Sequence, residues 1–418
     1  MNKIKLLIGI FAAALLTAIA QPVFARQVVV EENSESMIML DVARRYYPVD
    51  EIKQYIDTLA IHENSTLQLH FTDDENVGIE CTYLDQTKAN ATVSGNIYTN
   101  PVTNKPFLTY EQVTDLMNYA DSKKVRFVPE IDIPAHMTGF INLAEQKFGY
   151  DYVHDSTTGI AWKQDTDPGN VDFLHQNGHD FIMALYDEYT EFFKSREYFH
   201  MGFDEYTLRN DEKIAFANEM YDYLANKGYK VRMWSDAVTS ANINSLNNNI
   251  EIIYWGWWDD AVAYGYATVP EFQEAGFKII VTNRWYLFLV PSVANMTPEN
   301  NAHTIRDIKE NWELESWNYN FPSTLNNHDN ILGGAICIWG ENSAGVTDQA
   351  IREQGTEMYE AMFKKLDIHR RIIDAPDEEE TSNPQTEDTI KYYIISGAAC
   401  AVVLIICVVV IVINKKKQ

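Results

Sequence analysis

Tyr198-Phe199-His200-Met201-Gly202-Phe203-Asp204-Glu205 is a short, mostly apolar run that ends in two adjacent carboxylates. The run reads as a buried β-strand, and the charges arrive where the strand stops. A helical pattern follows at 213–227, and a further strand at 229–233. The same alternation extends in both directions. Strands are predicted at 37–41, 66–71, 125–131, 198–201, 229–233, 250–255, 278–281 and 331–338, with helices at 49–61, 110–123, 179–194, 213–227, 270–275, 304–313 and 347–365. Strand–helix units repeated over 36–370 predict an α/β fold, a single (β/α)8 TIM barrel. A doubly wound open sheet would want a glycine-rich phosphate turn after its first strand, and Asp41-Val42-Ala43-Arg44 is not one.

Barrels of this kind carry their chemistry just past the strand C-termini. In chain order those positions hold Asp41 and Arg44; Asp73-Asp74-Glu75; Glu130, Asp132 and His136; Asp204-Glu205; Trp234-Ser235-Asp236; Trp255-Gly256-Trp257-Trp258; Trp285-Tyr286; and Trp339-Gly340-Glu341. Acids and large aromatics therefore gather at one end of the barrel. Sugars present flat C–H faces that stack on aromatic rings, and hydroxyls that bind carboxylates and arginine. Glycoside hydrolysis needs a general acid for the leaving oxygen. Adjacent, partly buried Asp204 and Glu205 should raise each other's proton affinity, so that one stays charged while the other carries a proton.

The chain has 418 residues, with 33 basic against 60 acidic side chains and a net charge of −27. A hydrophobic fraction of 46% excludes a disordered chain, and the acidic balance excludes a nucleic-acid binder. Four cysteines are too few for a disulfide scaffold. Residues 1–25 read as a secretory signal: Lys3 and Lys5, an apolar run, then Val23-Phe24-Ala25 before Arg26. Residues 392–413 carry no charge and precede Lys415, Lys416 and Lys417. They are predicted to form a transmembrane helix with the tail 414–418 in the cytoplasm and the barrel outside, a single-pass cell-membrane protein. Between them, 374–390 holds seven acids, two prolines and no basic residue, an extended acidic stalk.

The stretches Met39-Leu40-Asp41-Val42-Ala43-Arg44, Leu69-His70-Phe71-Thr72-Asp73, Val128-Pro129-Glu130-Ile131-Asp132, His200-Met201-Gly202-Phe203-Asp204-Glu205, Arg232-Met233-Trp234-Ser235-Asp236 and Ile338-Trp339-Gly340-Glu341 occur in one order. Together they resemble glycoside hydrolase family 20, the β-N-acetylhexosaminidases, over about 36–366. The likeness is nearest to the dispersin group, secreted enzymes that cut poly-β-1,6-N-acetylglucosamine. It implies substrate-assisted retaining catalysis, with no cofactor and no metal. Glu205 would be the general acid, and Asp204 would orient the 2-acetamido group that acts as nucleophile. Arg44 and Glu341 would hold ring hydroxyls. Trp234, Trp255 and Trp339 would wall the sugar, and Tyr286 would bind the acetamido carbonyl. Asp73 and His136 would support Glu205. Phe203 stands where many relatives have Gly or Ala, and should reshape the wall behind the acids. Phe288 replaces an acid of many relatives, which would leave the outer hydroxyls to Asp259 or Asp260. The implied partner is an N-acetylhexosamine glycan. A catalytically inactive glycan-binding surface protein and a lacto-N-biosidase-type specificity are the alternatives.

Three smaller signals are read as structural. His175 and His179 have the spacing of a helical metal pair but lack a third ligand nearby, and are read as surface residues. Asn64, Asn90 and Asn295 begin N-x-S/T sequons. Cys81 and Cys337 are left open between pairing and free thiols.

Overall fold

Successive residues of a strand face opposite sides, and here that parity separates two cores. In β1 (Glu35–Asp41), Ile38 and Leu40 join the outer core, whereas Met37 and Met39 join the smaller cluster inside the barrel. The architecture comes from a computed structural model that describes residues 34–161, 169–206, 210–256, 265–318, 325 and 329–374. The barrel strands are β1, β2 (Ser65–His70), β6 (Arg126–Ile133), β7 (Tyr198–Gly202), β8 (Lys230–Trp234), β9 (Glu251–Tyr254), β10 (Ile279–Val281) and β12 (Ile331–Ile338). They pair in that order, all parallel, and β12 closes on β1 with Met39 opposite Cys337. The predicted (β/α)8 barrel is thus present, its strands shifted from the expected limits by a residue or a few.

The helices pack outside by an apolar stripe. α1 (Val49–Leu59) buries Ile52, Tyr55, Ile56 and Leu59, the i, i+3, i+4, i+7 pattern of one face. α2 (Tyr110–Ser122) starts at a reciprocal cap in which Thr109 and Gln112 each satisfy the other's backbone N–H. The closing helix α10 (Asp348–Asp374) is longer than the predicted 347–365.

Inside, the lower end is filled by charge. The fully buried Arg232 guanidinium binds Glu35 at 2.7 and 2.9 Å and Glu251 at 2.9 Å. One layer up, Glu130 accepts from Trp234 Nε1 at 2.7 Å and Gln68 Nε2 at 2.8 Å, with His70 Nδ1 at 3.0 Å. These inward residues set the parity that the site continues: 200, 202, 204; 232, 234, 236; 337, 339, 341.

Three features were not foreseen. A small antiparallel sheet of β3 (Thr92–Ser94), β4 (Ile97–Thr99) and β5 (Pro106–Phe107) follows β2. Two helices, α3 (Thr138–Phe148) and α4 (Tyr150–His154), follow β6, and a two-residue strand, β11 (Phe288–Leu289), pairs with β12. Cys81 and Cys337 are buried and free, so the pairing left open does not form. Among the described residues no helix is long and apolar enough to cross a membrane. The expected signal 1–25, the stalk beyond 374, the 392–413 span, the tail, and Trp257, Trp258, Asp259 and Asp260 lie outside the described residues.

Candidate active site

A pocket opens at the C-terminal mouth of the barrel, lined by Arg44, His136, Asp204, Glu205, Trp234, Trp255, Arg284, Phe288, Val290, Trp339 and Glu341. Eight of the ten residues nominated from sequence are in this lining. Asp73 lies just behind it, and Tyr286 does not line it.

The acid pair sits on a strained turn. Gly202, Phe203 and Glu205 have φ of 76°, 72° and 52°. Gly202 is obligatory, because a Cβ there would lie 1.6 Å from Asp132 Oδ1. For the two larger residues this conformation costs roughly 1–2 kcal/mol each. The turn is held by Phe203 N–H donating to Ile133 O at 2.9 Å, and by Glu205 N–H donating to Asp236 Oδ2 at 2.6 Å. Asp236 Oδ1 also accepts from the Trp255 indole at 2.9 Å. One carboxylate thereby fixes both the turn under Glu205 and one aromatic wall. Phe203 itself is not among the residues that line the pocket. Its ring is buried in the outer core, 5.9 Å from Phe216.

His136 is the hub of the charges. Its Nε2 lies 3.4 Å from Glu205 and 3.7 Å from Asp204, and its Nδ1 lies 3.4 Å from both Asp73 and Asp74. Burial opposes its charge, but Asp204 and the three other carboxylates raise its pKa well above the ordinary imidazole range. Pairing with this histidine holds Glu205 below the usual carboxylate range. Burial, with Glu205 adding to it, pushes Asp204 up. The mutual rise expected from sequence therefore holds for Asp204 and is reversed at Glu205, whose side chain is 56% exposed and in contact with a cation. Asp236 is raised to about 7 by burial and by the charge of Asp204.

Arg44 anchors the other side. It binds Asp41 at 3.1 Å, Asp73 at 2.7 Å and Glu75 at 3.2 Å, and lies 5.3 Å from the centre of the Trp339 ring. Gly340 lets β12 approach this loop, since a Cβ there would come within 2.8 Å of Arg44 and Arg45, and its N–H donates to Asp41 at 2.9 Å. Glu341 is thereby set beside Arg44. Burial raises its pKa against the pull of that arginine.

The aromatic walls follow from packing. Trp234 and Trp339 are 5.8 Å apart, and Phe288 stacks at 6.4 Å on Trp255. Tyr286 is buried in the outer core instead. The strand alternation of β10 stops here: α8 (Arg284–Leu287) is a single helical turn and Phe288 begins β11, and Arg284 and Phe288 line the pocket while Tyr286 joins the outer core. Arg284 was missed in the sequence, as were Asp132 and Asp236 as site residues, although the parity of β6 and β8 points to the last two.

Two acid–histidine groups, Asp73/Asp74/His136 and Asp132/His136/Asp204, are compact enough to hold a cation. His136 belongs to both and is itself driven toward the imidazolium form, which has no lone pair for a metal. The groups therefore suit proton sharing better than metal binding. His175 is the N-terminal boundary residue of α5 (Gln176–Phe192), and His179 pairs with Glu219 at 2.7 Å on the surface.

The description "glycosyl hydrolase family 20, catalytic domain" matches residues 37–213 and 209–352. A crystal structure of dispersin B superposes with a TM-score of 0.74 at 33% identity, covering 79% of this chain and 99% of that one. Among curated proteins, beta-hexosaminidase subunit A1 of Dictyostelium discoideum is 24% identical over 72% of this chain and 54% of its own length. The lacto-N-biosidase of Bifidobacterium bifidum is 24% identical over 59% of this chain and 22% of its own length. The chain thus spans only part of the curated relatives it matches.

Proposed function

The chain belongs to glycosyl hydrolase family 20, and from that premise we propose that it is a β-N-acetylhexosaminidase acting on β-linked N-acetylhexosamine with retention of configuration. The observation that carries this reading is Asp204 and Glu205 side by side against the same histidine, His136, in a pocket walled by Trp234, Trp255 and Trp339.

In this reading the sugar's ring hydroxyls bind Arg44 and Glu341, and its apolar face rests on tryptophan. The acetamido oxygen attacks the anomeric carbon while Glu205 protonates the leaving oxygen, so the glycosidic bond breaks as the oxazolinium ring closes. Asp204 accepts the acetamido N–H and offsets the charge on that nitrogen. Glu205 then takes a proton from the water that opens the ring. Glu205 is ready to give a proton only once substrate covers its exposed side chain, because desolvation returns its pKa upward against the pull of His136. Asp73 holds His136 from behind. The polymer of the dispersin group, poly-β-1,6-N-acetylglucosamine, is the proposed substrate. The enzyme is displayed outside the cell membrane on the 392–413 span, after removal of 1–25.

A substrate panel tests the assignment: chromogenic β-GlcNAc and β-GalNAc, chitobiose, a lacto-N-biose glycoside and the β-1,6 polymer, with product anomers followed by NMR. Hydrolysis of the polymer with β-product supports the proposal. Turnover of none of them would leave a glycan-binding protein instead. For location, protease added to intact cells should release the barrel by cutting at 374–390, and a domain cleaved only after lysis would overturn the topology.

A further inference from the structure

Asp132 takes no part in the mechanism above, yet it is wholly buried close to Asp204. A buried, uncompensated carboxylate is costly, so its surroundings must supply either donors or a proton. Its Oδ1 accepts from the Phe203 N–H at 3.2 Å, and its own N–H donates to Thr72 at 2.9 Å. Its Oδ2 has no hydrogen-bond partner, and neither does Asp204 Oδ1. An oxygen of each carboxyl and a nitrogen of His136 lie within 4.8 Å of one another. The chain makes room for this arrangement, because any side chain at Gly202 would overlap Asp132. Two orphan oxygens of like charge in a dry site are reconciled most simply by one proton between them.

We propose that Asp132 and Asp204 share a single proton, and that Asp132, as the neutral member, is a positioning residue whose O–H fixes the Asp204 carboxylate to receive the substrate's acetamido N–H. The charged neighbours are consistent with this. Facing Asp132 are Asp204 from the β7 end, His136 from the loop after β6, His70 from β2 and Tyr186 from α5, with Glu130 two residues before it on its own strand. Burial first and Asp204 second drive the Asp132 pKa well above the ordinary range, against His136 and His70. The pair keeps one negative charge, which is what a developing oxazolinium requires. A second charge would only pull His136 away from Glu205.

The inference rests on the proposed role of Asp204, so its test includes readouts that do not need turnover. Asp132→Asn mimics the protonated acid: its amide N–H donates to Asp204, and its oxygen still accepts from Phe203. Asp132→Val supplies neither bond. The Asn variant should keep kcat within about fivefold of wild type, while the Val variant should lose about 10- to 100-fold in kcat with little change in KM. Infrared spectra at neutral pH should show the C=O stretch of a buried protonated carboxyl in wild type and lose it in Asp132→Asn. Melting should report the same proton. An acid whose folded pKa is raised stabilises fully below its unfolded pKa, and that stability is lost as pH rises through the folded value. The Asn variant lacks this loss, so its melting temperature should gain on wild type between about pH 4 and pH 8. An infrared band unchanged in Asp132→Asn, a melting difference flat with pH, or equal losses of kcat in the Asn and Val variants would overturn the proposal. If the band and the melting trend appear while no acetamido sugar is cleaved, the shared proton stands and the hexosaminidase reading fails.

Discussion

Replacing Arg44 with alanine should destabilise the barrel mouth by an amount that the structure allows to be worked out. The Arg44 side chain is only 14% exposed, and its guanidinium serves Asp41, Asp73 and Glu75. Asp41 keeps the N–H groups of Ala43, residue 44 and Gly340, at 3.0, 2.9 and 2.9 Å. Asp73 keeps His70 at 2.7 Å and His136 at 3.4 Å. Each buried carboxylate therefore loses one charge-assisted bond of about 1.5–3 kcal/mol and is not stranded. Glu75, 46% exposed, adds less than about 1 kcal/mol. The total is about 3–7 kcal/mol, around the range for breaking a buried pair. At about 2 °C per kcal/mol for a domain of this size, melting should fall by about 6–14 °C. Arg44→Lys keeps the charge but not the three-way fork, and should recover about half. Thermal and urea unfolding followed by circular dichroism measure the loss, and Michaelis kinetics should show KM rising more than kcat falls. An Arg44→Ala protein melting within about 1 °C of wild type would refute the reasoning.

Other outcomes follow from the same geometry. Glu205→Gln should lower hydrolysis of substrates with poor leaving groups by roughly 100- to 10,000-fold while leaving binding nearly intact, checked by kinetics and calorimetry. Asp236→Asn places an amide donor against the N–H of Glu205 or Trp255, and should cost about 2 kcal/mol of stability together with a fall in kcat. At the lower end of the barrel, Glu35 is held at about 2 by Arg232 and Arg126 against the opposing effect of burial. That lowered pKa contributes about 3 kcal/mol above the unfolded value and is lost as pH falls toward 2. Acid unfolding of Glu35→Gln should therefore have a shallower pH dependence than wild type.

The strands and the acid pair were legible because both follow from period two. Strand residues alternate between the inner and outer cores, and Asp204, Trp339 and Glu341 continue the inward parity past the strand ends. The β3–β5 sheet escaped notice because Thr92–Ser94 and Ile97–Thr99 are short and mostly exposed, leaving no apolar alternation to read. Tyr286 falls outside the pocket lining and Arg284 within it, which strand alternation does not foretell because the chain after β10 makes a single helical turn of 100° per residue instead of 180°. The low proton affinity of Glu205 could not be read from its neighbour in sequence. It is set by His136, 69 positions earlier, through a contact that only the closed barrel creates.

The central claim is that the substrate's own acetamido group is the nucleophile. It is tested most directly by comparing an aryl 2-acetamido-2-deoxy-β-glucoside with the matching aryl β-glucoside under identical conditions. The tethered carbonyl oxygen makes the first reaction effectively intramolecular, and the second has no such group. The account predicts ready hydrolysis of the acetamido sugar, strong inhibition by its thiazoline analogue, and very poor turnover of the plain glucoside. Efficient cleavage of the plain glucoside, or a sugar trapped covalently on a carboxylate of the protein, would contradict it.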